Sequence, residues 1–118
     1  MNDLVIHNVI RSQIVEDYLD FFENKDLESI DSLIADDCSL TDWGVGTIVG
    51  KSNVINAFSD IFEAPADIEI DILHLHEDPD GILTCEMKLR IGDETMSVAD
   101  IIGFNEDDQI QFIRAYKG

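Results

Sequence analysis

The first stretch of the chain repeats its apolar residues at helical spacing. Between Val5 and Phe22 they recur every three or four positions, with charged residues largely elsewhere, which predicts one long amphipathic helix. Arg11 is assigned to the solvent side of this helix. The stripe predicted to be buried consists of Ile6, Val9, Ile10, Ile14, Tyr18, Phe21 and Phe22.

Two shorter helices are predicted downstream, with short strands between them. Asp26 is placed to cap a helix over residues 27–34, which the sequence "ADD" ends. The alternating "CSLTDW" and residues 47–49 predict two short strands on either side of the turn "GVG". Ser52 is placed to start a third helix, whose inward residues are predicted to be Val54, Phe58, Ile61 and Phe62.

Beyond Pro65 the apolar period changes to two. Four segments alternate or are rich in β-branched residues, and turn sequences separate them, which predicts a four-stranded antiparallel meander. The segments are residues 67–76, 82–91, 94–104 and 109–117. Three helices followed mainly by such a meander indicate one α+β domain over residues 1–118, in which the sheet curls over the helices.

One acid stands in the apolar row of a predicted strand. In "ETMSVADIIGF", residues 94–104, a period of two puts Asp100 on the same face as Val98 and Ile102. An ionised carboxylate is costly to bury alone, so such a group is paired, hydrogen-bonded or kept protonated. A pairing of Asp100 with Arg114 is one explanation, and a functional site is another.

Two further polar residues occupy positions that the periodic pattern assigns to a buried, apolar face. Asp42 alternates with Leu40 near the end of its predicted strand, and Tyr18 lies on the buried stripe of the first helix. Singly, Tyr18 is explained as a core aromatic residue and Asp42 as a turn former ahead of "WGVG". Together with Asp100, they indicate a site more strongly than each does alone.

Longer stretches around these residues resemble a known family. The segment "YLDFFENKDLESIDSLIADDCSLTDW" is similar to the N-terminal half of the ketosteroid isomerases, and "VADIIGFNEDDQIQFIRAYKG" is similar to their last strands. These enzymes belong to the nuclear-transport-factor-2-like (NTF2-like) superfamily, which also holds the SnoaL-type polyketide cyclases. The resemblance covers about residues 14–118 and implies the superfamily's cystatin-like cone, with three helices packed in a curved, mainly antiparallel sheet.

The resemblance also implies roles for the three polar residues. Asp42 matches the family's catalytic base, which takes a proton from the carbon next to a carbonyl and returns it two carbons along. Tyr18 and Asp100 match the donors that hold the resulting oxyanion, the acid being kept protonated by its apolar surroundings. The implied activity is a cofactor-independent isomerisation of a hydrophobic small molecule.

The predicted wall of the pocket combines aromatic, apolar and imidazole side chains. His74 is included because His74 and His76 share a predicted strand phase with Ile70 and Ile72; a core or rim position for both is the simpler alternative. Trp43, next to the base, is predicted either to form a wall or to pack under the third helix. The wall residues are Trp43, Phe22, Phe58, Phe62, His74, Met87, Val98 and Ile102.

Other functions stay open on the sequence alone. The same fold serves as a non-catalytic ligand-binding or dimerisation module, which an Asp100–Arg114 pair and a pocket closed by Trp43 would favour. A SnoaL-like cyclase or dehydratase is a further alternative. Hydrolysis through a water activated by Asp42, with His74 beside it, is another.

Charge and cysteine content narrow the expected partners. The formal net charge is −19, from 26 Asp and Glu against 7 Lys and Arg, which argues against nucleic acids and anionic membranes as partners. No leader sequence or bilayer-spanning run is recognisable, so we expect a cytoplasmic protein. Cys38 and Cys85 have neither metal-ligand nor disulfide-framework spacing, and we expect no metal or other cofactor. A homodimer through the outer face of the sheet is expected from the family resemblance.

Overall fold

The helices and the sheet follow one another along the chain with short connections. The computed structural model describes residues 3–118, with side chains from Val9 onward. The described elements are α1 (Asp3–Glu23), α2 (Leu27–Leu33), β1 (Ile34–Asp42), β2 (Gly46–Val49), α3 (Lys51–Glu63), β3 (Ile68–Glu77), β4 (Leu83–Ile91), β5 (Glu94–Phe104) and β6 (Ile110–Lys117). No helix in this part of the chain is long and apolar enough to cross a membrane.

The strands form one six-stranded sheet in the order β2-β1-β6-β5-β4-β3. β3 to β6 pair antiparallel as the predicted meander, and β2 pairs antiparallel with β1. β1 and β6 run parallel, which joins the helical half of the chain to its last strand. The α+β architecture predicted from the sequence is therefore confirmed. The helices cover one face of the sheet, here called the inner face, and the core lies between them.

The second helix is one residue shorter than predicted, and its following strand starts earlier. Asp26 caps α2 as predicted, since its side chain accepts a hydrogen bond from Ser29 N at 3.2 Å. The "ADD" sequence does not end a helix but belongs to β1, at an irregular stretch where the register with β6 shifts. Gln111 of β6 stabilises this stretch by donating to both the carbonyl and the carboxylate of Asp37.

The third helix also begins differently from the prediction. α3 starts at Lys51, and Gly50 occupies its N-cap position with φ of 96°, a conformation that suits glycine. Ser52 therefore lies inside the helix and does not cap it. Val54 and Phe58 are buried as predicted, and Ile61 and Phe62 pack against the core.

The buried stripe of α1 is shifted from the predicted one. Val15, Tyr18 and Leu19 are buried, whereas Val9 is 65% exposed and Ile10 is 41% exposed. The predicted position of Ile6 lies outside the described side chains. The reason for the shift is that α1 meets the end of the sheet near Arg11, so residues 9 and 10 have no core beneath them.

Arg11 marks this boundary, and it does not face solvent as predicted. Its guanidinium donates to Asp108 Oδ1 at 2.8 Å and to the carbonyls of Gly81 and Asn105, both at 3.3 Å. It also lies over the Phe104 ring, 5.2 Å from the ring centre. One partly buried side chain thus ties α1 to the β3–β4 and β5–β6 turns.

The outer face of the sheet carries a close contact between β5 and β6. Gly103 pairs with Phe112, and the Phe112 ring lies where a Cβ at Gly103 would be. Arg114 stacks on this ring, with its guanidinium carbon 4.4 Å from the ring centre. The position therefore requires glycine for steric reasons. The homodimer expected through this face stays a prediction.

We predict that Gly103→Ala destabilises the protein by about 1–3 kcal/mol, because the new methyl group displaces the Phe112 ring. Urea unfolding of the variant checks this value. In a Phe112→Ala background the same substitution should cost less than about 1 kcal/mol, since the ring is gone. An equal loss in both backgrounds would show that the overlap with Phe112 is not the cause.

Candidate functional site

Two acids lie in one row across the inner face of the sheet. Asp100 of β5 pairs with Ala115 of β6, and Thr41 of β1 pairs with Arg114, so Asp42 lies level with Ala115. Neighbouring strands are about 4.8 Å apart, which puts the backbones of the two acids about 10 Å apart with a small side chain between them. The row leaves space on the sheet for a ligand between the carboxyl groups.

Tyr18 reaches this row from α1. Its ring packs against Phe22 and Phe58, with ring centres 6.2 and 6.1 Å away, and Phe22 and Phe58 contact each other edge-on. This aromatic cluster holds the Tyr18 ring on the core side of the helix. The charges of both Asp100 and Asp42 act on its hydroxyl. All three polar groups predicted from the sequence therefore border one space.

That space is a cavity of about 280 Å³ between the helices and the sheet. Its lining is apolar except for Tyr18, Asp42, Asp100 and the indole of Trp43. Tyr18 and Asp100 are buried, whereas Trp43, Gly44 and Val45 are exposed. The cavity therefore has a closed end at Tyr18 and Asp100 and a mouth at residues 43–45.

Asp42 is held by the turn that follows it. Its Oδ1 accepts hydrogen bonds from the amides of Gly44 and Val45, each at 2.8 Å. Oδ2 takes no hydrogen bond from the described residues. The carboxylate is thus both a turn former and a lining group, with one oxygen fixed and the other available to a ligand.

Asp100 is the one buried charged residue among the described side chains, and it is 6% exposed. Arg114 points to the outer face, and no hydrogen bond or ion pair joins Asp100 to another described residue. Burial, together with the negative charge of Asp42, raises the pKa of Asp100 to about 7. The acid is therefore largely protonated below neutral pH and can donate a hydrogen bond.

Two further titratable groups near Asp100, Tyr18 and Cys85, are kept neutral by burial. Burial, followed by the charges of Asp100 and Asp42, raises the pKa of Tyr18 well above its usual value. Cys85 pairs with Asp100 across the β4–β5 ladder, and burial raises the pKa of its thiol to about 12. The hydroxyl of Tyr18 thus stays protonated and, with Asp100, supplies a second donor at the closed end. In the described residues no three His, Cys, Asp or Glu side chains are grouped as metal ligands.

Five of the eight predicted wall residues line the cavity, namely Trp43, Phe22, Phe58, Met87 and Val98. Phe62 does not line it but supports Phe22 from behind, with ring centres 5.0 Å apart. Ile102 is fully buried in the core one step further along β5. Trp43 is 50% exposed at the mouth and is not packed under α3.

His74 lies outside the cavity, contrary to the prediction. A β-bulge in β3 falls between Ile72, which pairs with Met87, and His74, which pairs with Glu86. The extra residue reverses the strand phase, so His74 and His76 stack on the outer face with ring centres 5.5 Å apart. His76 also contacts Glu86 there, at 3.5 Å.

Several lining residues were not singled out from the sequence. Most share a strand face with Asp42, Asp100 or Met87, so the period-two pattern was the available signal. Ala115 is the most informative, because its small side chain separates the two acids. The additional residues are Leu19, Leu40, Gly44, Val45, Ile61, Ile70, Leu89, Ile91, Ile113 and Ala115.

Comparison with known proteins agrees with this geometry. The family described as the SnoaL-like domain matches residues 15–113, which is most of the chain and contains all three polar residues. The chain belongs to the SnoaL-like domain family. The resemblance stated from the sequence is thereby confirmed at the level of the family. No curated protein matches this SnoaL-like domain in sequence.

Solved structures share the fold at low sequence identity. SalBIII, an epoxide hydrolase/cyclase-like enzyme in pyran ring formation in the polyether salinomycin, has a TM-score of 0.80 at 16% identity, covering 92% of this chain and 90% of its own. An NTF2-like protein of unknown function from Cytophaga hutchinsonii has a TM-score of 0.76 at 7% identity. The match covers 92% of this chain and 89% of that protein.

A third neighbour, from Kribbella flavida and proposed to be a ketosteroid isomerase, has a TM-score of 0.78 at 16% identity, with coverage of 92% and 77%. This SnoaL-like domain therefore has the NTF2-like fold.

We predict that Asp100 makes the protein less stable as the pH rises. The folded-state pKa of about 7 lies above the unfolded value of about 4, so the folded state holds a proton that the unfolded state has lost. This contribution is fully present below about pH 4 and is lost as the pH rises through about 7. Unfolding free energy should therefore fall by about 2–3 kcal/mol between pH 5 and pH 8 from this group alone.

Asp100→Asn removes the titration and is the matched variant, because all other acids are common to both proteins. The difference between the two unfolding profiles isolates the contribution of Asp100. Parallel profiles for wild type and variant across this range would contradict the raised pKa.

Proposed function

We propose that the protein is a cofactor-independent isomerase that moves a proton next to the carbonyl group of a hydrophobic small molecule. Asp42 is the base, and Tyr18 and Asp100 are the oxyanion donors. The supporting observation is that an apolar cavity carries two acids in one row and a tyrosine over it, with one acid surrounded by groups that keep it neutral.

The proposed reaction on a β,γ-unsaturated ketone needs no co-reactant. Asp42 takes a proton from the carbon between the carbonyl and the double bond, and the electrons move onto the carbonyl oxygen to form a dienolate. Tyr18 and Asp100 donate hydrogen bonds to that oxygen as its negative charge develops. Asp42 then returns the proton to the far carbon of the former double bond, which gives the conjugated ketone.

The geometry at Asp42 suits a proton carrier. Its Oδ1 is fixed by two amides of its own turn, and Oδ2 is left for the substrate. Its backbone lies about 10 Å from that of Asp100, which leaves room for the substrate carbons between base and donors.

Two observations weigh against a purely structural module. An Asp100–Arg114 pair would have given Asp100 a structural role, but Arg114 stacks on Phe112 at the outer face. Trp43 stands half exposed at the mouth, so it does not fill the cavity. Both features that would have favoured a non-catalytic domain are missing from the described residues.

Hydrolysis or cyclisation, the activities named for SalBIII, is the second candidate function. Its support is the similarity of the fold. Hydrolysis needs several polar groups around one water, and the predicted contribution of His74 is lost because His74 lies on the outer face. Isomerisation uses all three polar groups present and is therefore favoured.

We predict that Asp42→Asn lowers the turnover of a β,γ-unsaturated cyclic ketone by about 10²–10⁴-fold, since the amide cannot accept the proton. Tyr18→Phe should lower the turnover of the same ketone by about 10²–10³-fold, because one oxyanion donor is removed. The rise in ultraviolet absorbance of the conjugated ketone measures both effects.

His74→Ala is the control, because this residue lies on the outer face and should leave the rate unchanged. No turnover of any such ketone by wild type, or undiminished turnover by Asp42→Asn, would exclude the proposed function.

We also predict that kcat/KM of wild type falls as the pH rises through about 7. Asp100 loses the proton that it donates and adds a negative charge beside the oxyanion. Asp100→Asn keeps a donor that does not titrate, so its profile should be flat over the same range at a reduced rate. A decline of equal size in both proteins would assign the pH dependence to another group.

A further inference from the structure

The size of the cavity limits what it can hold, and this inference rests on the proposed function. An apolar protein cavity of about 150 Å³ accommodates one benzene molecule, which corresponds to about 25 Å³ for each heavy atom. On that scale the cavity of about 280 Å³ holds about eleven heavy atoms. A four-ring ketosteroid of about twenty heavy atoms would need about 500 Å³.

The position of the polar groups fixes the direction of the ligand. The donors Tyr18 and Asp100 are at the closed end, so the carbonyl oxygen is the innermost atom. Asp42 lies further out, at the level of the reacting carbons. The remainder of the ligand then points to the mouth, where it meets the indole of Trp43 next to the base.

The charge of the lining defines the chemistry of the ligand. None of the lining residues in the described part of the chain is Lys or Arg, and two of the few polar ones are acids. A carboxylate or phosphate on the ligand would be buried without a counter-charge and close to Asp42, which is unfavourable. The ligand is therefore an uncharged molecule with one oxygen acceptor and an otherwise apolar body.

We infer that the substrates are uncharged ketones of one or two rings, and that Trp43 sets this size limit at the mouth of the cavity. The two-ring class, with about eleven heavy atoms, fills the available volume. A four-ring ketone has to displace the indole or leave its distal rings in solvent.

The test compares β,γ-unsaturated ketones of one, two and four rings: cyclohexenone, octalone and ketosteroid. Wild type should show a kcat/KM at least about tenfold higher for the octalone than for the ketosteroid. Trp43→Ala should raise the ratio of the ketosteroid kcat/KM to the cyclohexenone kcat/KM by about tenfold, because the larger ketone gains space at the mouth.

Tyr116→Ala is the matched control. Tyr116 is 53% exposed, close to the 50% of Trp43, but it lies on the outer face and does not line the cavity. Tyr116→Ala should change neither the ketosteroid kcat/KM nor the cyclohexenone kcat/KM. A ketosteroid rate equal to or above that of the octalone in wild type would overturn the size limit, and equal effects of both variants would overturn the role of Trp43.

A binding measurement separates this inference from the proposed activity. The saturated ketones of the same three sizes cannot isomerise, and calorimetry gives their dissociation constants for wild type and Asp42→Asn. Tighter binding of the two-ring ketone without turnover of any substrate would retain the size limit and reject the isomerase. Weaker binding of the two-ring than the four-ring ketone, or no binding of either, would overturn the inference itself.

Discussion

The parallel pairing of β1 with β6 is the contact on which the site depends. It connects a strand that follows two helices to the last strand of the meander, and no local sequence signal specifies that partnership. Its inner face is buried at Ile34, Leu40, Ile110 and Ile113, so the hydrophobic effect holds the register. Because of this register, Asp42 comes to lie two strands away from β5, with β6 between them, and level with the residue opposite Asp100.

The electrostatics of the cavity depend on two acids that share one apolar space, because the negative charge of one disfavours ionisation of the other. Asp42 is half-buried, and its Oδ1 accepts two amide hydrogen bonds from its own turn. Asp100 has an apolar environment and a neighbour that is already negative, and both disfavour ionisation. The two carboxyl groups thus have different environments, and that of Asp100 favours the protonated form, which can donate a hydrogen bond. Ala115 between them provides the necessary space.

Sequence patterns predicted the strands and buried faces that depend on the local period of apolar residues. They missed positions that depend on contacts between elements distant in the chain. The meander and the face of Asp100 follow from alternation along single strands, and the buried position of Tyr18 follows from the helical period of α1. The bulge that moves His74 to the outer face adds one residue without interrupting the apolar run, so no pattern revealed it. The half-buried position of Arg11 depends on two turns far along the chain.

A single turn supports both the Asp42 carboxylate and the mouth of the cavity. The amides that fix Asp42 belong to Gly44 and Val45, and these residues line the mouth together with Trp43. Changes in the backbone of this loop therefore alter ligand access and the orientation of the Asp42 carboxylate together, whereas a change of side chain at Trp43 leaves both amides in place. Ile61 and Ile91 line another part of the cavity and make no hydrogen bond to Asp42, so changes there do not affect its orientation. A wider cavity is therefore compatible with an unchanged Asp42 where the substitutions fall at Ile61 or Ile91.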